Sequence, residues 1–384
     1  MDGAQLWREP TASARIWNAN WAVLALMTIL AGIGIATLYS VEGGSFQPWA
    51  QNHGLRYLIG MALILLILLV PIATWRHLAY PFYGLALLLV ALVPFTGVEA
   101  LGARRWLDLA GLKFQPTEVM KLALVVALAR YYEHVPQKRV SEPRYLVVPL
   151  LMILVPVAFT LRQPDLGSAI LYATLGLSLL FLAGLSVVYF AAGALLTVLA
   201  APLVWSQLHD YQRRRVEVFL NPDVDPLGAG YHITQSKIAL GAGGISGKGF
   251  MQGTQSQLDF LPEKHTDFIF TMFAEEWGFI GAIGLVVLFA ILLALLLRIV
   301  LNARTPFHRL LAAGVWITIF LYVFINIAMV TGLMPVVGVP LPFVSYGGTS
   351  MLTLMTGVGL ALAADVDQRL GERHRDRLRL GGWH

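Results

Sequence analysis

At 384 residues, 57% hydrophobic and only 13% charged, with a mean hydropathy of +0.70, the chain is too apolar for a water-soluble globule, where about a quarter of residues carry charge. It has no cysteine, which excludes disulfides, thiolate metal sites and cysteine nucleophiles. The net charge of +5 acts here as a topology signal and gives no support to nucleic-acid binding.

Apolar runs of roughly 20 residues, the thickness of bilayer hydrocarbon, recur along the sequence. They predict an all-α polytopic membrane protein with ten transmembrane helices near residues 18–39, 55–73, 79–97, 115–133, 145–162, 167–185, 187–207, 267–298, 309–332 and 350–365. Residues 1–17 form an N-terminal tail. The run from Trp21 to Tyr39 is longer than a signal-peptide core and no small-x-small site follows it, so it reads as a retained helix. Pro81 and Pro94 crowd the third span. The one long loop, about 208–266, carries a turn cluster from Asn221 to Pro226. Residues 231–240 are expected to form a short surface helix. From Gly241 to Gly253 six of thirteen residues are glycine, which predicts mobile backbone. The membrane domain ends near residue 366, and 367–384 is a basic tail suited to anionic lipid.

Lysine and arginine orient this array. With both termini on one side, that side collects fifteen of them in the tails and short loops, against five on the other: Arg56, Arg104, Arg105, Lys113 and Arg162. The positive-inside rule then puts both termini in the cytoplasm and the long loop outside.

Four groups carry chemistry. Asp267 stands where the polar segment ending in His265–Phe268 gives way to an apolar run, at the outer waterline, where a carboxylate can serve a membrane-bound substrate as base or cation ligand. The same position suits a helix N-cap, and both readings stand. Glu275 follows two turns deeper, about 12 Å by helical rise, beside Glu276; acids in an apolar helix rarely face lipid. Glu118 and Lys121 share a face at i and i+3 of the fourth span, level with Asp267, as an ion pair with a structural or a functional role. Arg104, Arg105 and Lys248 place positive charge on the outer side, where a phosphate-bearing substrate would need it, and Arg213–Arg215 fit solvation or headgroup contact better. The uncharged loop from Pro335 to Ser350, which includes Ser345, is rich in proline and glycine; irregular backbone at membrane depth must lie against protein or a watery cavity.

GTQSQLDFLPEKHTDFIF, QPTEVMKLA, RQPDLGSA, GYHITQSKIALGAGGISGKG and GLMPVVGVPLPFVSYGGTS together resemble the SEDS family (shape, elongation, division and sporulation) over roughly residues 20–366. The first of these is more similar to the elongation branch, RodA, than to the division branch, FtsW. The resemblance implies a ten-span fold and a peptidoglycan glycosyltransferase that polymerises lipid II and releases undecaprenyl pyrophosphate. It also implies an essential aspartate at Asp267, an acid–base pair at Glu118 and Lys121, and a divalent cation (Mg2+ or Mn2+) at Asp267, with no organic cofactor. A class B penicillin-binding protein as transpeptidase partner, the elongation machinery and residence in the bacterial inner membrane are further implications. A flippase for lipid II, a scaffold for a transpeptidase and a division paralogue are the competing readings.

Overall fold

The computed structural model describes residues 11–381 apart from 101–102, 110–111, 208–209, 222–223, 226–227, 258–260 and 262. A short helix, α1 (Ala12–Trp17), precedes the hairpin of α2 (Trp21–Val41) and α3 (Trp49–Leu69). After the single-turn-scale α4 (Ile72–His77) comes α5 (Ala79–Thr96), then three strands, β1 (Val98–Ala100), β2 (Ala103–Leu109) and β3 (Leu112–Phe114). The chain continues through α6 (Pro116–Tyr132), α7 (Pro143–Leu161), α8 (Leu166–Ala183) and α9 (Val187–Gln207). The long loop folds into α10 (Asp210–Leu220), α11 (Ala229–Ala242) and α12 (Thr254–Gln257), and three long helices follow: α13 (Ile269–Asn302), α14 (Pro306–Val330) and α15 (Gly348–Gly381).

Helices thus stand near all ten expected positions. Among the described residues eight of them, α2, α3, α5, α7, α8, α13, α14 and the first part of α15, are long and apolar enough to cross a membrane, and α9 is apolar over Val187–Leu203. The fourth, α6, is shorter and carries charge, but it needs no lipid-compatible surface. From Pro116 to Ala129 nearly every side chain is buried, because α5, α7, α8, α14 and α15 surround it. By contrast α9 holds Val188, Leu195, Leu196, Val198, Leu199 and Leu203 outward, where hydrocarbon is the only compatible solvent.

Two features differ from expectation. The fold is nearly, not wholly, helical. An antiparallel sheet in the order β1–β2–β3 fills the connection between α5 and α6, with Val98 opposite Trp106 and Asp108 opposite Lys113. Its signal was a short alternating run, RRWLDL, squeezed between helices. The second difference is in α13, which is broken at Gly278 (φ 65°, ψ −166°), a conformation essentially reserved for glycine. Backbone groups freed by the break are taken up by the glycine-rich segment. Phe279 N donates to Gly244 O at 2.9 Å, Ile280 N to Ile245 O at 3.1 Å, Lys248 N to Glu275 O at 3.1 Å and Gly249 N to Glu276 O at 3.0 Å. Residues 243–249 are therefore packed into a helix gap and not mobile, and a side chain at Gly247 would collide with the Glu276 carbonyl.

Candidate active site

A cavity of about 620 Å³ opens among the N-terminal ends of α3, α6, α8 and α15, the β2–β3 strands and the loop from 336 to 348. Asp267 is on its wall, together with Glu118, Lys121, Arg105 and Trp106. Five side chains that the motifs left unassigned also face it: Arg56, Lys113, Asp165, Tyr322 and Tyr346.

Asp267 sits one residue before the N-cap position. The helix begins at Ile269, and Phe268 occupies the cap with no side-chain hydrogen bond, so the cap reading of Asp267 does not hold. Its backbone is pinned instead. The buried Asn326 on α14 donates from Nδ2 to Asp267 O at 2.8 Å and to Val339 O at 2.7 Å, tying the aspartate to the uncharged loop. Gly338, with φ +74°, lies so close that a Cβ there would stand 3.3 Å from Asp267 Oδ2. Ser345 does not line the cavity; its hydroxyl donates to Thr266 O at 2.6 Å and accepts from Leu341 N at 2.7 Å. Tyr346 N adds a bond to His265 O at 2.9 Å. Ser345 therefore acts on the site through backbone placement.

His265 braces the same segment from the other side. Its Nε2 meets the Glu42 carboxylate, and its ring stacks on Trp49 at 4.3 Å between centroids. Burial pushes the His265 imidazole below its ordinary value, a shift that the nearby Glu42 carboxylate partly opposes.

Glu118 and Lys121 form the cavity floor. They are 6% and 3% exposed, with Lys121 Nζ 2.6 Å from Glu118 Oε1, and the Tyr322 hydroxyl bonds to both. A smaller void of about 20 Å³ lies beneath, lined by Glu118, Lys121, Thr318 and Tyr322. The buried charges are thus paired and hydrogen-bonded, the condition for tolerating them at that depth. Tyr322 was unmarked in sequence because a tyrosine in an apolar run is usually packing. Asp165 caps α8, accepting from Ser168 N at 3.2 Å and Ser168 Oγ at 2.7 Å.

The remaining candidates stand elsewhere. Arg104 is exposed on β2 and does not line the cavity, whereas Arg105 does and donates from Nη2 to Pro164 O. Lys248 and Glu275 are also off the cavity. They pair at 2.6 Å, and Glu275, fully buried, accepts from Thr254 N and Gln255 N as well, so the pair fastens the glycine-rich segment to α13. Arg213 donates to the Trp205 and Ser206 carbonyls at the end of α9, and Arg214 pairs with Asp225. Among the described residues no three His, Asp or Glu side chains converge as a metal cage.

The comparisons with known proteins agree with this architecture. The cell cycle protein family model covering FtsW, RodA and SpoVE matches residues 14–370. Peptidoglycan glycosyltransferase MrdB of Escherichia coli K12 is 43% identical over 351 residues, 91% of this chain and 94% of that protein. A chain of a solved peptidoglycan synthase complex that coordinates polymerization and crosslinking superposes with a TM-score of 0.79 at 33% identity, covering 91% of this chain and 98% of its own. The rod shape determining protein RodA of Thermus thermophilus superposes with a TM-score of 0.68 at 29% identity, covering 91% and 97%. A protein with this match along almost its whole length, and with this helical bundle, belongs to the FtsW/RodA/SpoVE family of cell cycle proteins, the SEDS family.

Proposed function

We propose that the protein is a peptidoglycan glycosyltransferase that polymerises lipid II during cell elongation, with its termini in the cytoplasm and its cavity on the outer face of the inner membrane. The observation that carries this is a single one: Asp267 faces a cavity that also holds Arg56, Arg105, Lys113 and the Glu118–Lys121 pair. That is the equipment for deprotonating a hydroxyl beside a diphosphate. The 43% identity to peptidoglycan glycosyltransferase MrdB supports the activity, and the likeness to a rod shape determining protein supports the elongation role.

The donor is an α-linked sugar diphosphate and the acceptor offers a C4 hydroxyl. Forming a β-1,4 bond inverts the anomeric carbon, so one displacement suffices and no glycosyl-enzyme is required. The C4 oxygen bonds to C1 as the C1–oxygen bond to the diphosphate breaks. Asp267 takes the hydroxyl proton, and the leaving diphosphate carries its negative charge toward the arginines and lysines. The residues fit a divalent cation only in part: Asp267 would be one ligand and diphosphate oxygens and water the rest, the usual arrangement for Mg2+ with phosphates. Such an ion would neutralise charge on the leaving group. Lipid tails would enter sideways between helices. A class B penicillin-binding protein is the expected partner, and the likeness to a chain of a synthase complex supports it.

The competing reading is a flippase, which moves the lipid without chemistry. A transporter would hold its charges near midplane, whereas here they cluster at one end of the bundle. Purified protein given labelled lipid II decides between them. Wild type is expected to make polymer, and Asp267→Ala, folded by its thermal unfolding midpoint, none; equal polymer from both removes Asp267 from the mechanism.

A further inference from the structure

Arg56 lies on α3 in what the chain's charge pattern marks as an outer position, and the reading above counts it only as one of several cations in the cavity, with no place of its own. Its guanidinium carbon is 4.3 Å from the centroid of the Tyr346 ring. That ring is itself immobilised, by the Tyr346 N bond to His265 O and by edge contact with Trp49 at 4.7 Å between centroids. The guanidinium is therefore held in a fixed pose. Its Nη1 is buried and has no hydrogen-bond partner. Charged donors in such places are normally satisfied. Of the four carboxylates that line the cavity among the described residues, Glu118 is bonded to Lys121 and Tyr322, Asp165 to Ser168 and Glu263 to Thr266, and the fourth is Asp267.

The surroundings of Arg56 suit an anion. Gly347, Gly348 and Thr349 line the cavity beside it, and the guanidinium is 3.7 Å from where a Cβ on Gly348 would be. Bare glycine backbone lets phosphate oxygens approach. The start of the 34-residue α15 adds its dipole. Arg105 has a second orphan, a buried Nε without a partner, on a different element, and Lys113 lines the same cavity from the next strand of that sheet. The cavity thus has two separately anchored cationic corners.

We propose that Arg56, clamped on Tyr346 beside Gly347–Gly348, is a diphosphate-binding subsite distinct from the Arg105–Lys113 corner. The assignment of that diphosphate to a lipid-linked sugar rests on the polymerase reading above: an enzyme joining two such units holds two diphosphates at once, and the two corners give each its own cation. Arginine is suited to the task because its fork bonds two phosphate oxygens together.

The test uses the full chain purified in detergent, titrated calorimetrically with inorganic pyrophosphate, while lipid II polymerisation is followed in parallel. Arg56→Gln is expected to weaken pyrophosphate binding and raise KM for lipid II by roughly tenfold to a hundredfold, the range for a hydrogen bond to a charged group, with kcat changed far less. Arg56→Lys is expected to recover part of both, which also guards against a folding defect in the glutamine variant. Asp267→Ala is expected to retain binding while losing polymer. Wild-type protein that does not bind pyrophosphate, or Arg56→Gln that matches it in binding and KM, overturns the subsite. Displacement of pyrophosphate by phosphatidylglycerol in nanodiscs, at the level of an ordinary membrane, would assign the corner to bulk headgroups and overturn it too. Arg56-dependent binding with no polymer from wild type would instead refute the polymerase reading and leave the anion site standing.

Discussion

Tyr322 is the residue on which the Glu118–Lys121 pair depends. Its hydroxyl touches both partners and closes the cavity floor. Removing it leaves a buried carboxylate oxygen and an ammonium each short of a bond, at about 1–3 kcal/mol. Tyr322→Phe is therefore expected to lower the thermal unfolding midpoint and slow polymerisation, whereas an unchanged midpoint would mean that the pair holds without it. The His265 brace gives a pH signature. The folded imidazole is held below its ordinary 6.5, mainly by burial, so the folded protein binds that proton later than the unfolded chain does. Stability from this residue is complete above about pH 6.5 and declines as pH falls toward the depressed value. Between about pH 7.5 and pH 5 the wild type is expected to lose more of its unfolding midpoint than His265→Gln; parallel curves would dismiss the effect. Asp267, Glu118 and Lys121 were legible in sequence because a charge inside an apolar run has no cheap explanation. Arg56 and Tyr346 were not. An arginine near a helix start is usually a solvated or headgroup contact, and only the fold brings α3 against the loop before α15.

At the scale of elements, the same contrast separates the helices from what joins them. Long apolar runs declare themselves, so the ten helices fell near their expected places. The β1–β3 sheet did not, since its strands are three to seven residues long and pair with one another instead of displaying a hydrophobic face. The glycine-rich segment was misread as loose for a related reason. Its partner, the break at Gly278, lies in a long apolar run where Gly281 and Gly284 stay helical, so a glycine alone does not mark the interruption. Alanine at 278 would have to adopt a backbone conformation open essentially to glycine, and its methyl would press on the backbone of Ile245 and Gly247. Gly278→Ala is expected to destabilise the protein by at least about 1–3 kcal/mol, read as a lower unfolding midpoint and poorer yield; wild-type stability would show that the helix can close on itself.

For the whole molecule, charge is sorted by end. The cavity gathers at one end, and at the other a buried Arg15 bonds Leu68 O at 2.6 Å and Val70 O at 3.2 Å and pairs with Asp367, with Arg76 and Arg130 around Glu133 close by. The first and last helices are thereby fastened together. The absence of cysteine makes orientation directly measurable. Ser45→Cys, exposed at the cavity end, is expected to react with an impermeant maleimide in intact cells, and Gln137→Cys, exposed at the other, only after permeabilisation; the reverse pattern would invert the proposed topology and, with it, the proposal that the cavity takes its substrate from the outer face.

The gap in α13 also bears on how the chain is built. Synthesis runs from the N-terminus, so Gly244 to Gly249 leave the ribosome about thirty residues ahead of Gly278. The groups that will satisfy the interrupted helix already exist when it reaches the translocon. An interruption whose partner lay downstream would expose bare carbonyls to lipid while waiting. The order of the two segments along the polypeptide is thus a safeguard during insertion, one that a circular permutation separating them would forfeit.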